Sequence, residues 1–464
     1  MNDSGIKIEV HLIQNFAPSN LNRDDTGQPK STTFGDFRRA RISSQCSKKS
    51  VRDLWRKNGQ LTVGDRTKKL QELIGNALSA KDEQGDFIWE ARSKINDEFL
   101  SEGVRVFTDA YYAKADKKKP EKTSVLIFIS PSEVEVCVQA IKELWDEPKE
   151  VTKKDAETSK TREGIASIVK KRKEYDKKVK IKVEGGAGAQ SGSDETQDQG
   201  DDISEDSTKD DKRPKLKVDD EIKDRIKRAQ ITDDIALFGR MLAEQPGRNT
   251  DGSCQVAHPI STHKVDMEFD FYTAVDDLNP KEEPGAGMMG VVGFNSACYY
   301  RYALVDRDQL ARNLASKTER TNGAWIQALE TNDYEEADKV IEAFLEAMVY
   351  AIPTGKQNSF AAQNLPSFGL FVRRKDGVPI SLANAFCKPV RSTKDADDLV
   401  GLSVAALTKH WDELNKVYGC QGVQTTSCFH LDQKDQLNSL AGCDKGSVKE
   451  AIKAVMVKFK EEAK

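Results

Sequence analysis

A long charged stretch in the middle of the chain limits what its 464 residues can fold into. Between Asp194 and Asp211 there are nine acidic residues and one lysine, and Ile203 is the one large apolar side chain. Such a segment cannot bury enough apolar surface to offset the conformational entropy lost on ordering. We therefore predict that residues 184–214 are disordered, within a charged insertion of about residues 147–227. The folded core must then be built from the chain on either side.

The parts that flank the insertion contain both strand and helix patterns. Alternating apolar residues from Ile6 to Leu12 predict a half-buried strand near the N-terminus. Ser43 or Ser44 would cap a helix that runs through Trp55, which we expect in the core, to a stop at Gly59. The runs FDFYTAVDDL and ACYYRYALV, joined by a Gly-rich segment, predict a long β-hairpin. The predicted fold class is α+β.

The segment from Leu21 to Arg56, the basic tract, is positive in a chain whose formal net charge is −4. Against four Asp it contains nine basic residues: Arg23, Lys30, Arg38, Arg39, Arg41, Lys48, Lys49, Arg52 and Arg56. Ser43, Ser44 and Gln45 lie among them, and short polar side chains of this kind suit phosphate and sugar oxygens. The helix start within the tract would add free N–H groups and a positive dipole end. We therefore predict a nucleic-acid partner, although charge runs are also typical of plain solvated surfaces.

Two acidic residues in the basic tract offer a catalytic alternative. Asp24 and Asp25 could hold Mg²⁺ for phosphodiester cleavage, which requires carboxylate oxygens and usually a second metal or a base. The alternative is that they pair with Arg23 or Arg41 and shape the loop. We favour the structural role, because two adjacent residues seldom point at one metal.

The remaining composition favours a reduced cytoplasmic protein without a metal or cofactor. The eight cysteines are scattered, and neither they nor the histidines show the spacing of a common zinc site. No apolar run approaches the roughly 18 residues of a membrane span, so no membrane partner is expected. The N-terminus also lacks the pattern of a signal peptide.

The basic tract also resembles a known family. The runs LNRDDTGQPK and FGDFRRARISSQCSKKSVR are similar to the signature of the CasC family, the RNA-binding backbone subunits of the type I-E CRISPR Cascade complex. The resemblance resumes in family order at ALFGRM, AHPISTHKVD, PTGKQNSFAAQN and PISLANAF. It covers residues 60–230 less well than the rest. One departure is Asp36, which stands where the family usually has a second glycine after Gly35.

The resemblance implies a modified RRM-like (ferredoxin-like) palm, a helical finger domain and a β-hairpin thumb. Residues 1–59 and 251–464 would form the palm, residues 60–250 the finger region with the insertion, and about residues 263–296 the thumb. Several copies would stack along one guide RNA in a helical filament.

The resemblance and the charge of the tract together give a set of expected RNA contacts. These are Arg23, Lys30, Arg38, Arg39, Arg41, Ser43, Ser44, Gln45, Lys48, Lys49 and Arg52, with Lys356 and Asn358 from GKQNS. In the family the thumb kinks the strand at regular intervals, and we place Met241, Phe271 and Tyr272 near such a kink.

The function that follows is a non-catalytic, multi-copy subunit that holds CRISPR guide RNA (crRNA) by its sugar-phosphate backbone. Its base edges then stay free to pair with target DNA in antiviral defence. Expected partners are crRNA, target DNA through the guide heteroduplex, other copies of the chain, and the large, small, CasD-type and CasE-type Cascade subunits. The alternatives are a metal-dependent ribonuclease that uses Asp24 or Asp25, and a general single-stranded RNA-binding protein.

Overall fold

The computed structural model describes residues 5–146, 163–186, 213–242, 244–275, 286–393 and 398–462. The strands are β1 Ile6–Ser19, β2 Ser31–Phe34, β3 Phe37–Ala40, β4 Asp65–Thr67, β5 Ile127–Ile129, β6 Cys254–Val256, β7 Ile260–Ser261, β8 Glu268–Val275, β9 Ala286–Asp306, β10 Arg320–Thr321, β11 Ala324–Trp325, β12 Phe368–Lys375 and β13 Val423–His430.

The α-helices are α1 Ser44–Asn58, α2 Leu70–Leu78, α3 Asp97–Tyr111, α4 Pro131–Leu144, α5 Ile165–Gly186, α6 Asp220–Arg228, α7 Asp233–Phe238, α8 Arg307–Leu314, α9 Thr331–Tyr350, α10 Gln357–Phe360, α11 Leu399–Tyr418 and α12 Val448–Glu462. None of the helices in these ranges is long and apolar enough to cross a membrane.

The chain divides into two compact units. Unit 1 comprises Met1–Val63, Thr232–Arg240 and Thr250–Lys464, and unit 2 comprises Gly64–Ile231 and Met241–Asn249. Unit 1 thus joins the two ends of the chain, and unit 2 is built mainly from the sequence between them.

Unit 1 is organised around an antiparallel sheet with the strand order β13-β12-β1-β9-β6. The 21-residue β9 is its longest strand. Its second half pairs with β1, and its first half pairs with β8 in the predicted hairpin. Helices α9, α11 and α12 belong to the same unit. The predicted α+β class is therefore confirmed, whereas the RRM-like assignment stays a prediction.

Strand β1 differs from the prediction of a half-buried strand, because both of its faces are covered. The side chains of Glu9 and His11 are fully buried. Glu9 accepts hydrogen bonds from Arg374 and from the backbone N–H of Ile380, and His11 Nδ1 lies 2.9 Å from the Tyr300 hydroxyl. Burial alone would raise the pKa of Glu9, but His11 and Arg374 leave it below its usual value. The alternation of apolar residues identified the strand. Because the polar side chains on its other face are hydrogen-bonded, the strand can lie in the centre of the sheet.

Unit 2 has its own apolar core, formed by helices α2–α6 and the short β4–β5 pair. Ile165, Ile168 and Val169 of α5 are buried in it, so the N-terminal half of this helix is part of the folded unit. Helix α5 continues to Gly186, and the prediction of disorder from residue 184 is wrong for its last turn. Residues 187–212 of that predicted segment lie outside the described residues.

Candidate nucleic-acid interface

The first half of the basic tract is shaped by the β2–β3 hairpin. Its turn consists of Gly35 and Asp36, which both have positive φ, at 58° and 63°. Asp tolerates this left-handed conformation because its short polar side chain can hydrogen-bond locally. A Cβ on Gly35 would lie 2.0 Å from the Cys387 carbonyl oxygen, so only glycine allows this approach. The departure at Asp36 therefore keeps the turn, whereas Gly35 itself is required.

Arg39 anchors this hairpin from inside the protein. The residue is fully buried, and its guanidinium donates to the carbonyl oxygens of Phe34, Ser261 and Phe386 at 3.3, 3.0 and 2.6 Å. Burial lowers the pKa of Arg39 from its ordinary value. A side chain held in this way has no surface left for a phosphate. We therefore assign Arg39 an anchoring role in place of the RNA contact expected from the sequence.

Helix α1 forms the second half of the tract and begins as predicted at a serine cap. Ser43 Oγ accepts a hydrogen bond from the Cys46 N–H at 3.2 Å, while the Ser43 N–H donates to Asn22 Oδ1 at 2.8 Å. The first turn contains no acidic residue, and Gln45 on it is exposed. The positive end of the helix dipole is therefore not neutralised within its first turn. Gly59, with φ of 63°, ends the helix.

Two contacts fix α1 to unit 1. Arg52 Nε lies 2.5 Å from Asp234 Oδ2, and both side chains are buried. The predicted core residue Trp55 is fully buried and stacks on Phe238 at 5.9 Å between ring centroids. Lys48 Nζ lies 5.3 Å from the centre of the same Phe238 ring. Arg52, like Arg39, therefore holds the scaffold and does not line its surface.

The other cations of the tract are at or near the surface. Arg23, Arg38 and Lys49 are exposed, and Lys49 pairs with Asp53 one helical turn away. A second group is half-buried and comprises Lys30, Arg41, Ser44 and Lys48. Arg41 lies 3.1 Å from His258 Nδ1, and burial together with Arg41 lowers the pKa of that histidine. The neutral imidazole then leaves the positive charge of Arg41 uncompensated.

A groove of about 460 Å³ brings the tract together with the distant GKQNS segment. Arg23 and Lys49 line it, and Thr354 and Gly355 contribute on the other side. A Cβ on Gly355 would lie 2.3 Å from the Leu21 carbonyl oxygen, so this glycine allows the two segments to touch. The next residues are the half-buried Lys356 and the exposed Asn358. Residues more than 300 positions apart thus share one surface.

Asp24 closes the loop at the mouth of this groove. Its Oδ1 accepts from the Thr26 N–H, the Thr26 hydroxyl and the Gln28 N–H at 3.0, 2.8 and 2.9 Å. The hydrogen bond from the Thr26 hydroxyl lowers the pKa of Asp24. Asp25 is exposed. In the described parts of the chain, no group of three or more His, Cys, Asp or Glu side chains is placed to hold a metal ion.

The predicted hairpin carries an exposed apolar face. Phe271 of β8 lies opposite Val291 of β9, and the two are 63% and 57% exposed. Phe269 and Met289 are on the same face by the period of two, and both are exposed. The sequence reasoning missed these three neighbours of Phe271, although their i, i+2 spacing could have revealed them.

The other two residues expected at the thumb are placed differently. Tyr272 lies opposite Gly290 on the other face of the hairpin and is 38% exposed. Met241 belongs to unit 2 and is 84% exposed. Of the Gly-rich segment predicted as the hairpin tip, Ala286–Gly290 belong to strand β9, so the prediction of a tip there is wrong. Residues 276–285 lie outside the described residues.

Comparisons with known proteins cover nearly the whole chain. The family model described as CT1975-like protein matches residues 8–456. A solved structure titled "CRISPR RNA-guided surveillance complex, pre-nicking" has 24% identity and a TM-score of 0.68, over 98% of this chain and all of that one. Another, titled "CRISPR RNA-guided surveillance complex", has 21% identity and a TM-score of 0.58, over 97% and 99%. At this identity the two structures establish a shared fold. No curated protein sequence matches the chain.

Proposed function

Because the chain belongs to the CT1975-like protein family, we propose that it is a guide-RNA-binding backbone subunit of a CRISPR surveillance complex. The family membership confirms the resemblance to CasC-type subunits read from the sequence. The type I-E subtype is part of the proposal. So are a prokaryotic cytosolic location and partnership with large, small, CasD-type and CasE-type subunits.

The observation that carries the proposal is that some basic residues of the basic tract are buried anchors and others are exposed. Arg39 and Arg52 are buried and hold the hairpin and the helix, whereas Arg23, Arg38 and Lys49 project from that rigid frame. Exposed cations beside a helix N-terminus bind phosphates without selecting a base. Guide RNAs differ in sequence, so a subunit that carries them has to hold the backbone and leave the base edges free for target DNA.

The hairpin supports a second part of the proposal. An exposed apolar face of Phe269, Phe271, Met289 and Val291 is suited to packing against a base that has been unstacked, since every base presents an apolar π-face. We place this contact at the kinks of a guide shared by several copies of the chain in a helical filament. The expectation that Tyr272 and Met241 also lie near a kink stays a prediction.

We also propose that the protein holds RNA without cutting it. Oδ1 of Asp24 already accepts three hydrogen bonds that close its own loop, so this carboxylate is occupied in shaping the groove. Asp25 then remains as the candidate for the ribonuclease alternative.

The RNA-binding surface is tested by charge reversal with a matched control. Arg38→Glu combined with Lys49→Glu changes two exposed residues of the tract, and Lys445→Glu combined with Lys449→Glu makes the same charge change elsewhere on unit 1. Only the first pair is expected to lose guide RNA on purification, with both variants folded by circular dichroism. Binding of the unaltered protein should fall with salt at a log–log slope of about −0.7 per phosphate neutralised. Equal RNA retention by the two variants would refute the assigned surface.

Native mass spectrometry of the purified assembly tests the backbone role directly. Several copies of the chain bound to one RNA of uniform length are expected. Bound RNA of mixed lengths with no fixed copy number would support a general single-stranded RNA-binding protein.

Incubation of the assembly with complementary RNA and Mg²⁺ tests the absence of cleavage. The RNA should remain intact. Cleavage that disappears in Asp25→Ala but persists in Asp53→Ala, a second groove-lining acid, would establish the ribonuclease alternative.

A further inference from the structure

His258 is an exposed histidine at an irregular point of the unit 1 sheet. It lies between strands β6 and β7, which both pair with β9. Val256 is opposite Ala303 and Ile260 is opposite Tyr300, so the three residues between the two pairs face only two on β9. One extra residue is typical of a β-bulge, which redirects a side chain away from the regular pattern of the sheet.

The bulge lies against the basic tract. Arg41 forms an isolated β-bridge with Ile260, and the Arg41 N–H donates to the Lys30 carbonyl oxygen at 3.0 Å. The Arg41 side chain also contacts His258, which is 217 positions away in the chain. Backbone contacts thus hold Lys30, Arg41 and His258 beside one another on one surface.

The contact between Arg41 and His258 determines where the imidazole carries its proton. Arg41 Nη1 lies 3.1 Å from His258 Nδ1. A guanidinium can only donate hydrogen bonds, so Nδ1 accepts and the ring proton of the neutral imidazole is on Nε2. Among the residues that the structure describes, Nε2 has no hydrogen-bond partner. His258 therefore presents an N–H donor to solvent beside the guanidinium.

The cluster of Lys30, Arg41 and His258 is basic and lacks a carboxylate. Within the described ranges, none of the three side chains forms an ion pair with an acidic residue. Burial, Arg41 and Lys30, in that order of effect, lower the pKa of His258. The imidazole is therefore neutral near pH 7, because its protonation would place a third positive charge beside two others. A bound anion would reduce that repulsion.

The anion that fits these donors is a phosphate diester. Lys and Arg bind phosphate oxygens through charge-assisted hydrogen bonds, and the imidazole N–H supplies a further donor. A phosphodiester has two non-bridging oxygens, so it can accept from all three side chains at once. RNA, the proposed ligand of this surface, carries one such group for each nucleotide.

We propose that Lys30, Arg41 and His258 bind one phosphate of the guide RNA, with the Nε2–H of His258 donating to a non-bridging oxygen. The inference rests on the proposed RNA-binding function and adds a residue to its surface. The bound phosphate opposes the charges of Lys30 and Arg41, so it raises the pKa of His258. The proton that His258 then takes up comes from solvent and binds at Nδ1. Arg41 donates to the phosphate in place of the imidazole.

The proposal predicts that RNA binding tightens as pH falls. A fluorescent oligouridylate is a suitable probe for anisotropy between pH 8 and pH 5 at constant salt, because its charge does not change over that range. The unaltered protein should bind it about tenfold more tightly at pH 5, since a rise of one pKa unit on binding corresponds to a factor of ten. This gain is fully present below the pKa of free His258 and is lost as pH rises through the pKa of the bound state.

His258→Gln keeps an N–H donor and removes the titration, so its affinity should vary by less than about twofold over the same range. His410→Gln is the matched control. His410 is half-buried on α11 of the same unit and lies 3.9 Å from Glu413. This control should keep the pH dependence of the unaltered protein. Circular dichroism at pH 5 and pH 8 checks that both variants are folded.

Sulfate tests the anion site without RNA, because its charge is also constant between pH 5 and pH 8. In protein labelled with carbon-13 at histidine Cε1, the resonance that is missing from His258→Gln reports the pKa of His258. Sulfate added at constant ionic strength should raise that pKa. Lys30→Gln with Arg41→Gln should abolish the response, whereas Lys445→Gln with Lys449→Gln, two exposed residues elsewhere on unit 1, should keep it.

Two results would overturn the inference and leave the proposed function intact. The first is RNA binding whose pH dependence is the same in the unaltered protein and in His258→Gln. The second is RNA binding together with a pKa of His258 that neither RNA nor sulfate raises. A sulfate response in a protein that binds no RNA would support the anion site and refute the proposed function.

Discussion

The basic tract of unit 1 and a cavity of about 750 Å³ in unit 2, which six basic side chains line, are both rich in Arg and Lys, but Arg39 of the tract and the arginines of the cavity have different partners. In the tract, Arg39 is bound by neutral backbone carbonyls, so its anchoring consumes no carboxylate. In the cavity, Arg172 and Arg213 are each bound by carboxylates, and the ion pairs cancel their charge. A count of basic residues therefore overstates the positive charge that a ligand encounters. The partners of each cation determine the charge that remains.

The largest effect is expected from Arg52, the anchor of the tract that is bound by a carboxylate. Arg52→Met would leave Asp234 buried without its cation, which should lower the free energy of unfolding by about 3–5 kcal/mol. Lys49→Met at the exposed pair with Asp53 should change it by less than about 1 kcal/mol. Urea unfolding of both variants measures the difference. Equal stability of the two would contradict the anchoring role of Arg52.

A slightly smaller effect is expected for the carbonyl-bound anchor. Arg39→Met should cost about 3 kcal/mol, because several buried carbonyls lose a charged donor. Its neighbour Arg38 is exposed, and Arg38→Met should stay within about 0.5 kcal/mol of the unaltered protein. RNA affinity measured on the folded variants should fall for Arg38→Met. If Arg38→Met destabilised the protein as much as Arg39→Met, the division into anchors and contacts would be wrong.

Arg374 is a further buried arginine, and it is bound by Glu9, whose ionisation makes the stability of the protein depend on pH. Its partner Glu9 has a pKa below the usual 4.5, so its ionised form stabilises the folded state above that pH. Glu9→Gln should therefore cost about 1–3 kcal/mol at pH 7. The cost should begin to shrink as pH falls below 4.5, where Glu9 of the unfolded chain takes up a proton, and should be lost once pH falls through the lower pKa of the folded state. Thermal unfolding from pH 7 to pH 3 tests this, and a cost independent of pH would exclude Glu9 as a charged partner.

The smallest effect sharpens the role of the exposed cations. Asp53→Asn removes the partner of Lys49 and should change stability by less than about 0.5 kcal/mol. The released Lys49 should strengthen RNA binding modestly and steepen its dependence on salt. Lower RNA affinity in this variant would show that Asp53 orients Lys49 and does not compete for it.

Local patterns predicted the elements of the interface well, and distant contacts account for what they missed. The serine cap, the stop at Gly59 and the burial of Trp55 follow from neighbours within α1. The burial of Arg39 does not, because its acceptor carbonyls at residues 261 and 386 are 222 and 347 positions away in the chain. The same holds for β1, whose alternation was visible although the partner that covers Glu9, Arg374, comes from a distant strand. The sequence predicts that the tract binds an anion. Only the tertiary contacts show which of its cations are buried anchors and which are exposed.

Strand β9 gives the hairpin a mechanical property. The strand leaves β8 near Phe294 and joins β1 from Asn295 onward, so the hairpin and the centre of the sheet share one uninterrupted backbone. At this changeover the Asn20 side chain donates to the Gly293 carbonyl oxygen at 2.9 Å, which ties the strand to the start of the basic loop. A force applied at the apolar face of the hairpin would be transmitted through the continuous backbone of β9 to the centre of the sheet. Strain applied at the hairpin would therefore reach the groove that Arg23 and Lys49 line.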